Sequence, residues 1–199
     1  AALLNRKVLQ TFSRELRDFL FCLAQLRTFS VPLCRAMLPE AEVEAFIDLL
    51  IQRNIFVIPL DRNRQRYRLH SVFREYLLSE AERHLTPSRR QDVLRRAAAW
   101  CEGDADWRDA IDYAVKADDL TAAGRILERS ATVFHRDYGD IPRYIEWAQR
   151  LEAQGIALGW ETHYLYTWAL VYRRRFELAR IQMEKLGARV QEARGKRNA

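Results

Sequence analysis

The chain has 199 residues, of which 49% are hydrophobic, with seven glycines and five prolines, a composition typical of a folded protein with few loops. Its net charge of +6 arises after residue 172, since residues 173–199 carry nine Lys or Arg and three Asp or Glu and the rest of the chain is balanced. A balanced chain with a basic end favours a solvated helix face over a nucleic-acid or membrane surface. No run of about 18 uncharged apolar residues and no signal-peptide pattern occurs. We therefore expect a cytoplasmic protein without a transmembrane helix.

Three helices are predicted at the start of the chain. Ser13 is a suitable N-cap for a helix whose apolar residues recur at helical spacing up to Leu26. Pro32 suits the first turn of a short helix that ends at Leu38, and a third helix follows Pro39. The apolar face of that third helix consists of Val43, Phe46, Ile47, Leu50 and Ile51.

After Asn54 the pattern changes to β-branched and aromatic residues without a helical period. Asp61 begins a polar, turn-like segment, and beyond it Tyr67 and Leu69 alternate with polar residues. Two short strands around a turn form a hairpin, or wing, and three helices followed by a wing predict a winged-helix domain over residues 1–86. A further helix is predicted from Val72 to about Leu85.

The remainder, residues 87–199, is predicted to be helical throughout, so the fold class is mainly α. We expect helices near residues 88–102, 107–117, 119–135, 141–153, 161–174 and 176–194. Helix pairs that recur at roughly 34 residues indicate a tetratricopeptide-like helical arm. Five aromatic residues of this arm line either a ligand groove or a helix packing face: Trp160, Tyr164, Tyr166, Trp168 and Tyr172.

Residues that could carry chemistry are scattered. The three cysteines, Cys22, Cys34 and Cys101, have apolar neighbours and form no CxxC pair, which favours reduced core residues. His84, His135 and His163 have no partner at metal-ligand spacing, and Asp104, Asp106 and Asp109 are interpreted as helix-terminal caps. The chain contains no GxxxxGK[ST] phosphate loop. We therefore expect no enzyme and no metal site in this chain.

Two stretches, taken together, resemble one family. Residues 53–78 place Asn54, Phe56, Leu60, Asp61, Tyr67, Arg68, His70 and Phe73 as the winged-helix segment of LuxR-type, maltose-activator-like ATP-dependent transcriptional activators does. Residues 107–127 are similar to the helical hairpin that follows in the same proteins. The resemblance covers roughly residues 12–127. It implies a bacterial signal-transduction ATPase of the STAND class, of which this chain is an internal fragment.

The resemblance also implies a role for His70. In related ATPases a histidine at the end of the wing contacts the ADP phosphate and holds the resting state, so His70 is the candidate phosphate sensor. ATP or ADP is then a cofactor of the longer protein, whose nucleotide-binding and downstream sensor domains are the partners of this chain. DNA would be bound only through a separate C-terminal domain. The alternative interpretation of His70 is a capping or half-buried residue without a ligand.

Two other functions remain open. Arg62, Arg64, Arg66 and Arg68 along the wing could contact DNA phosphates, but the helix before them is rich in acidic residues that would repel DNA. Docking on a nucleotide domain of the same polypeptide, or solvation, is therefore preferred for these arginines. A tetratricopeptide-type scaffold for partner proteins and a winged helix that binds DNA directly are the alternative functions.

Overall fold

The computed structural model describes residues 9–53, 56–63, 65–133 and 140–197. Within these ranges the chain is mainly helical and contains one two-stranded antiparallel hairpin, which confirms the predicted fold class. The chain divides into two compact units, Ala1–Asp119 and Leu120–Ala199. No helix in the described ranges is both long enough and apolar enough to cross a bilayer.

The first unit begins with a winged helix. Its elements are α1 (Arg14–Leu23), α2 (Val31–Met37), α3 (Val43–Gln52), β1 (Val57–Pro59), β2 (Tyr67–Leu69) and α4 (Ser71–His84), followed by α5 (Pro87–Gly103) and α6 (Trp107–Lys116). The predicted N-cap is confirmed, because the Ser13 hydroxyl accepts the Leu16 N–H at 3.2 Å. Ser30 and Thr86 cap α2 and α5 in the same way.

Apolar side chains at helical spacing form the core of this unit. α1 packs against α4, α2 packs against α3 and α5, and α5 packs against α6. The largest apolar side chains of the unit with less than 2% exposure are Phe73, Leu20, Leu23, Leu26, Met37, Ile47, Leu50 and Leu77. Burial of each such side chain is worth about 1.5–3 kcal/mol.

The second unit consists of α7 (Leu120–Val133), α8 (Ile141–Ala153), α9 (Trp160–Tyr172) and α10 (Phe176–Arg197). α9 lies at its centre and packs against the other three helices. Buried alanines such as Ala123, Ala148 and Ala169 let the helices approach closely, and the rings of Tyr144 and Tyr166 fill the space between them. The predicted helices of the arm are confirmed within the described residues, with ends shifted by one to three residues. The predicted end at residue 135 lies outside the described residues.

The compact units and the predicted domain boundary differ in position. α5 follows α4 after two residues, packs on α2, and its Arg89 forms an ion pair with Glu40. The first compact unit therefore includes α5 and α6. The boundary at residue 86, which concerns sequence modules, stays a prediction.

Candidate functional site: the wing and its junctions

The wing is a short hairpin anchored to the helical core. β1 and β2 pair in the register Val57 with Leu69 and Pro59 with Tyr67. A third, single-residue strand precedes α2, because Phe29 and Tyr67 exchange two backbone hydrogen bonds of 2.8 Å. Tyr67 and Leu69 are buried and the residues between and beside them are exposed, so the predicted alternation is confirmed.

Asp61 holds the turn of the wing. Its two carboxylate oxygens accept the N–H groups of Gln65 and Arg66, each at 2.8 Å. The Leu60 N–H also donates to the Arg66 carbonyl at 2.8 Å. An aspartate that bonds backbone groups a few residues ahead fixes a turn by the same chemistry as an Asx turn.

His70 occupies the N-cap position of α4, where β2 passes into the helix. Its N–H donates to the Phe56 carbonyl at 2.7 Å, and its carbonyl accepts the Arg74 N–H at 2.9 Å, so the backbone is fixed on both sides. The imidazole is exposed and forms no capping hydrogen bond with the helix. An imidazole N–H beside the first turn of a helix is a suitable donor set for an anion. The role of His70 as a phosphate sensor stays a prediction.

A strained residue supports this junction. Phe56, whose carbonyl receives the His70 N–H, has a φ of +52°, a left-handed conformation that costs a non-glycine residue about 1–2 kcal/mol. Its ring stacks on Phe73 of α4, with centroids 4.5 Å apart. This stacking ties the start of the wing to the helix that His70 precedes.

The arginines of the wing have different surroundings. Arg66 forms an ion pair of 2.8 Å with Asp106, which caps α6, so this arginine contacts its own unit. Docking of the wing arginines on a nucleotide domain stays a prediction. Arg62 and Arg68 are exposed, and Arg64 lies outside the described residues. The alternate residues Arg66, Arg68 and His70 are all exposed, as expected of residues that share one side of a strand.

The surface of α3 is acidic, as the sequence indicates. Glu42, Glu44 and Asp48 are exposed, and Glu44 forms an ion pair with Arg35. Carboxylates on the exposed side of this helix would repel a phosphate backbone. The helix that would read DNA in a winged-helix DNA-binding protein is therefore poorly suited to do so here.

An ion pair between the half-exposed Arg27 side chain and the buried Asp109 fastens the loop after α1 to α6. The Arg27 guanidinium lies 2.8 Å from the Asp109 carboxylate, whose other oxygen accepts the Tyr113 hydroxyl at 3.2 Å. That hydroxyl in turn accepts the Arg27 N–H at 2.9 Å. Burial and the neighbouring Asp106 raise the pKa of the Asp109 carboxyl, and Arg27 and Tyr113 oppose that rise. Arg27, Asp109 and Tyr113 thus form a closed cycle of three hydrogen bonds.

The interpretation of Asp109 as a cap is therefore wrong. Asp106 is the N-cap of α6 and accepts the Asp109 N–H, whereas Asp109 is only 2% exposed and its side chain pairs with Arg27. The sequence held one signal for this arrangement, because Asp109 and Tyr113 are four residues apart and share a helix face with apolar residues. The partner Arg27 could not be found that way.

Among the residues that the structure describes, the remaining candidates form no cluster that could carry chemistry. All three cysteines are free and buried, which confirms them as core residues. No group of His, Cys, Asp and Glu able to hold a metal ion occurs among the residues that the structure describes. His84 stacks on Phe21, His163 is buried against Gln182, and His135 lies outside the described residues.

One family model matches the winged-helix part of this chain. Residues 5–90 match the model of the MalT winged helix domain family, which agrees with the helices and the wing observed in the structure. The match supports a regulator family of the MalT type.

Individual relatives match a longer segment of the chain than the family model does. The HTH-type transcriptional regulator MalT of Vibrio cholerae is 29% identical over 127 residues, which are 63% of this chain and 14% of the relative. MalT of Vibrio parahaemolyticus is 28% identical over 125 residues, with coverages of 62% and 14%. The serine/threonine-protein kinase PknK of Mycobacterium tuberculosis is 26% identical over 129 residues, with coverages of 65% and 12%. The matching segment thus spans about one seventh or less of the length of these relatives.

Proposed function

We propose that this chain is an internal regulatory region of an ATP-dependent transcriptional regulator of the LuxR type, within the signal-transduction ATPase class. The observation that carries the proposal is the match of residues 5–90 to the MalT winged helix domain, together with the fixed backbone and exposed ring of His70. The chain would act in the cytoplasm. Its partners would be the nucleotide-binding and sensor domains of the same polypeptide, and DNA would be bound by a separate domain.

The names of the relatives support a regulatory rather than a catalytic role for this chain. Proteins named as transcriptional regulators and a protein named as a kinase share a similar segment that makes up only 12–14% of each. A segment that occurs both in transcriptional regulators and in a kinase is better suited to transmit a conformational change between domains than to bind DNA or catalyse phosphorylation itself. We therefore assign no catalytic residue to it.

The role of the wing junction would be to sense a nucleotide phosphate. The donors at hand are the His70 imidazole, the exposed Arg68 guanidinium and the first-turn N–H groups of α4, and all three suit an anion. A bound ADP would supply the phosphate oxygens that accept from these groups. A contact made in only one docking arrangement of the domains would favour that arrangement by its own free energy.

Replacement of His70 tests the proposal. In this chain His70→Ala should change the free energy of unfolding by less than about 1 kcal/mol, because the exposed ring makes no capping hydrogen bond. In the full-length regulator the same change should weaken ADP binding roughly 10- to 150-fold, the effect of one lost charge-assisted hydrogen bond. Transcription without inducer should rise, because the resting state loses a contact.

His84→Ala is the matched control, since His84 is an exposed histidine at the other end of the same helix. This control should leave ADP affinity and basal transcription unchanged. His70 would be a structural residue if the full-length His70→Ala protein retained wild-type ADP affinity. The same conclusion would follow if His70→Ala markedly lowered the melting temperature of the 199-residue chain.

The two alternative functions differ in their support. Direct DNA binding is disfavoured by the exposed carboxylates of α3. A scaffold for partner proteins is favoured by one observation, the exposed aromatic residues of α9.

A further inference from the structure

The last helix of the second unit, α10, is docked with little apolar contact. Among its residues that the structure describes, only Ala179 and Gln182 are buried. Leu186 and Val190 are half-buried. Its other large apolar residues are at least 38% exposed: Phe176, Leu178, Ile181 and Met183. Because apolar surface stabilises a helix only where it is removed from water, polar contacts carry much of the attachment of α10.

Five side chains connect α10 to α8 and α9, and we call them the polar clasp: Glu152, His163, Gln182, Lys185 and Arg189. The Glu152 carboxylate of α8 accepts the Gln182 amide N–H at 2.7 Å and the Lys185 ammonium at 2.9 Å. Oε1 of Gln182 lies 2.8 Å from Nε2 of His163 in α9. Arg189 Nη1 lies 3.1 Å from Nδ1 of the same ring. Three of the five residues belong to α10, so the clasp joins this helix to both neighbours.

The donor and acceptor roles in the polar clasp are fixed by chemistry. A carboxylate only accepts, so the amide nitrogen of Gln182 faces Glu152 and its oxygen accepts the Nε2–H of His163. A guanidinium only donates, so Nδ1 of His163 accepts from Arg189. Arg189 also donates to the Leu158 carbonyl at 3.1 Å, which holds it beside the ring. A proton on Nδ1 would turn that atom into a donor against a donor, so the clasp closes only around a neutral His163.

His163 is 4% exposed and lies among charges of both signs. Those charges are Lys185 and Arg189 of α10, Glu152 of α8, Glu128 of α7, which accepts the first N–H groups of α9, and the exposed Glu161 of α9 itself. Burial lowers the pKa of the His163 ring, and Arg189 and Lys185 add to this effect, whereas Gln182 and Glu152 oppose it. The closed clasp therefore binds a proton less readily than an exposed histidine does.

We infer that α10 is an acid-sensitive element, which protonation of His163 releases from α8 and α9. Once the clasp opens, the ring is solvated and takes up a proton as an ordinary histidine does, so acidification favours the released helix. α9 packs against α7 and α8 around buried residues such as Tyr144 and Leu170, so these three helices stay folded without the clasp. The inference does not depend on the nucleotide proposal, and its failure would leave the role of His70 unaffected.

Hydrogen exchange of the complete 199-residue chain, measured by mass spectrometry at about pH 7.5 and about pH 5.5, tests the inference. After correction for the intrinsic exchange rates, the opening equilibrium of α10 should rise several-fold, up to about tenfold. This limit is the gain in proton binding of an ordinary histidine over that range. Protection of α7, α8 and α9 should stay unchanged. Unchanged protection of α10, or an equal loss in all four helices, would overturn the inference.

Variants identify the residue that responds to acid. His163→Gln keeps a donor for Gln182 and cannot take up a proton, so the opening equilibrium of α10 should no longer depend on pH. Gln182→Ala breaks the clasp and should raise the exchange of α10 at both pH values. Arg180→Ala is the matched control, because Arg180 is exposed on the same helix and pairs with Glu177 and Glu184 of α10 itself. This control should keep the wild-type response to pH, and a His163→Gln chain that also kept it would contradict the inference.

The wild-type chain supplies a measurement that needs no variant. Nitrogen-15 NMR of the His163 ring should show a neutral imidazole with its hydrogen on Nε2 at about pH 7.5. The ring should become charged over the same pH range in which α10 loses protection. A ring that is already charged at about pH 7.5, or one that becomes charged while α10 stays protected, would show that the clasp does not respond to acid.

Discussion

Arg27 and Asp109 are 82 positions apart in the sequence. Because of this separation, their ion pair could not be predicted from the sequence. The caps Ser13 and Asp106 could be predicted because each accepts the N–H of a residue three positions ahead, a relation written in the local sequence. A long-range ion pair depends on how the loop after α1 packs on α6. That packing is decided by the whole core and not by any pattern near either residue.

The burial of Asp109 predicts a large effect of a single substitution. Asp109→Ala should lower the free energy of unfolding by about 2–3 kcal/mol, because it leaves the Tyr113 hydroxyl and the half-exposed Arg27 guanidinium without their acceptor. Arg83→Ala breaks an exposed pair with Glu80 and should cost less than about 0.5 kcal/mol. Urea unfolding of both variants measures the contrast, and equal costs would show that the Asp109 network adds nothing to stability.

His163 makes the stability of the second unit depend on pH. Its Nδ1 atom lies 3.1 Å from Arg189, which can only donate, so Nδ1 is an acceptor and the Nε2–H donates to Gln182 at 2.8 Å. This arrangement requires a neutral ring. Burial lowers the pKa of His163 below its ordinary value of 6.5, and the charges of Arg189 and Lys185 lower it further against the opposing effects of Gln182 and Glu152.

The lowered pKa fixes the direction of the pH dependence. Below about pH 6.5 the unfolded chain binds a proton at His163 that the folded chain does not, so acidification favours unfolding. The contribution of His163 to stability is therefore complete above about pH 6.5 and is lost as the pH falls toward the folded-state pKa. Unfolding free energies of wild type and His163→Gln, measured from about pH 7.5 to about pH 5, should converge on acidification. Parallel curves would contradict the prediction.

Among the elements, the helices were the most predictable because apolar residues at a period of 3.6 mark both their extent and their buried side. The strand at Phe29 was not predicted, since a single-residue bridge has no period to detect. Which side of α9 is exposed was also beyond prediction. Its apolar residues occur on all sides of the helix, so the sequence could not show that Tyr166 would be buried and Tyr164 exposed.

The start of α9 offers a test of helix capping by a distant residue. The Glu128 carboxylate accepts the N–H groups of Glu161 and Thr162 at 3.2 Å and 3.1 Å, and a Cβ atom on Gly159 would overlap that carboxylate. Glu128→Ala and Gly159→Ala should each cost about 1 kcal/mol through the same lost cap, so the double variant should cost no more than either single one.

Gly103→Ala is the control for this cycle. A Cβ atom at Gly103 meets nothing within 4 Å, so this change should be neutral or slightly stabilising by thermal melting. Additive costs of the Glu128 and Gly159 changes would show that the glycine is required for a reason other than space for the carboxylate.

At the scale of the whole molecule, the segment that matches the winged-helix family is shorter than the compact unit that contains it. The winged-helix family match ends at residue 90, but α5 covers α2 and α6 supplies Asp109 to Arg27. Composition changes where the wing ends, and that change is visible in sequence. The burial of α2 under α5 is not visible, because it joins residues far apart in the chain.

Two fragments should separate these units. A fragment of residues 1–119 should melt within a few degrees of the first unit in the intact chain. A fragment of residues 1–86 should melt at least about 10 °C lower, because it loses the cover of α2 and the partner of Arg27. Identical melting of the two fragments, followed by circular dichroism, would show that the winged helix folds without α5 and α6.

The placement of the cysteines gives the first unit its own reporter. Cys22, Cys34 and Cys101 are the only thiols of the sequence; all lie before residue 119 and all are buried. Burial raises the pKa of Cys22 to about 11 and those of Cys34 and Cys101 further. Such thiols react with an alkylating reagent only when the surrounding structure opens and a thiolate can form. The alkylation rate of each cysteine, measured by mass spectrometry, therefore reports how fast the first unit opens. Motions confined to the second unit do not change this rate.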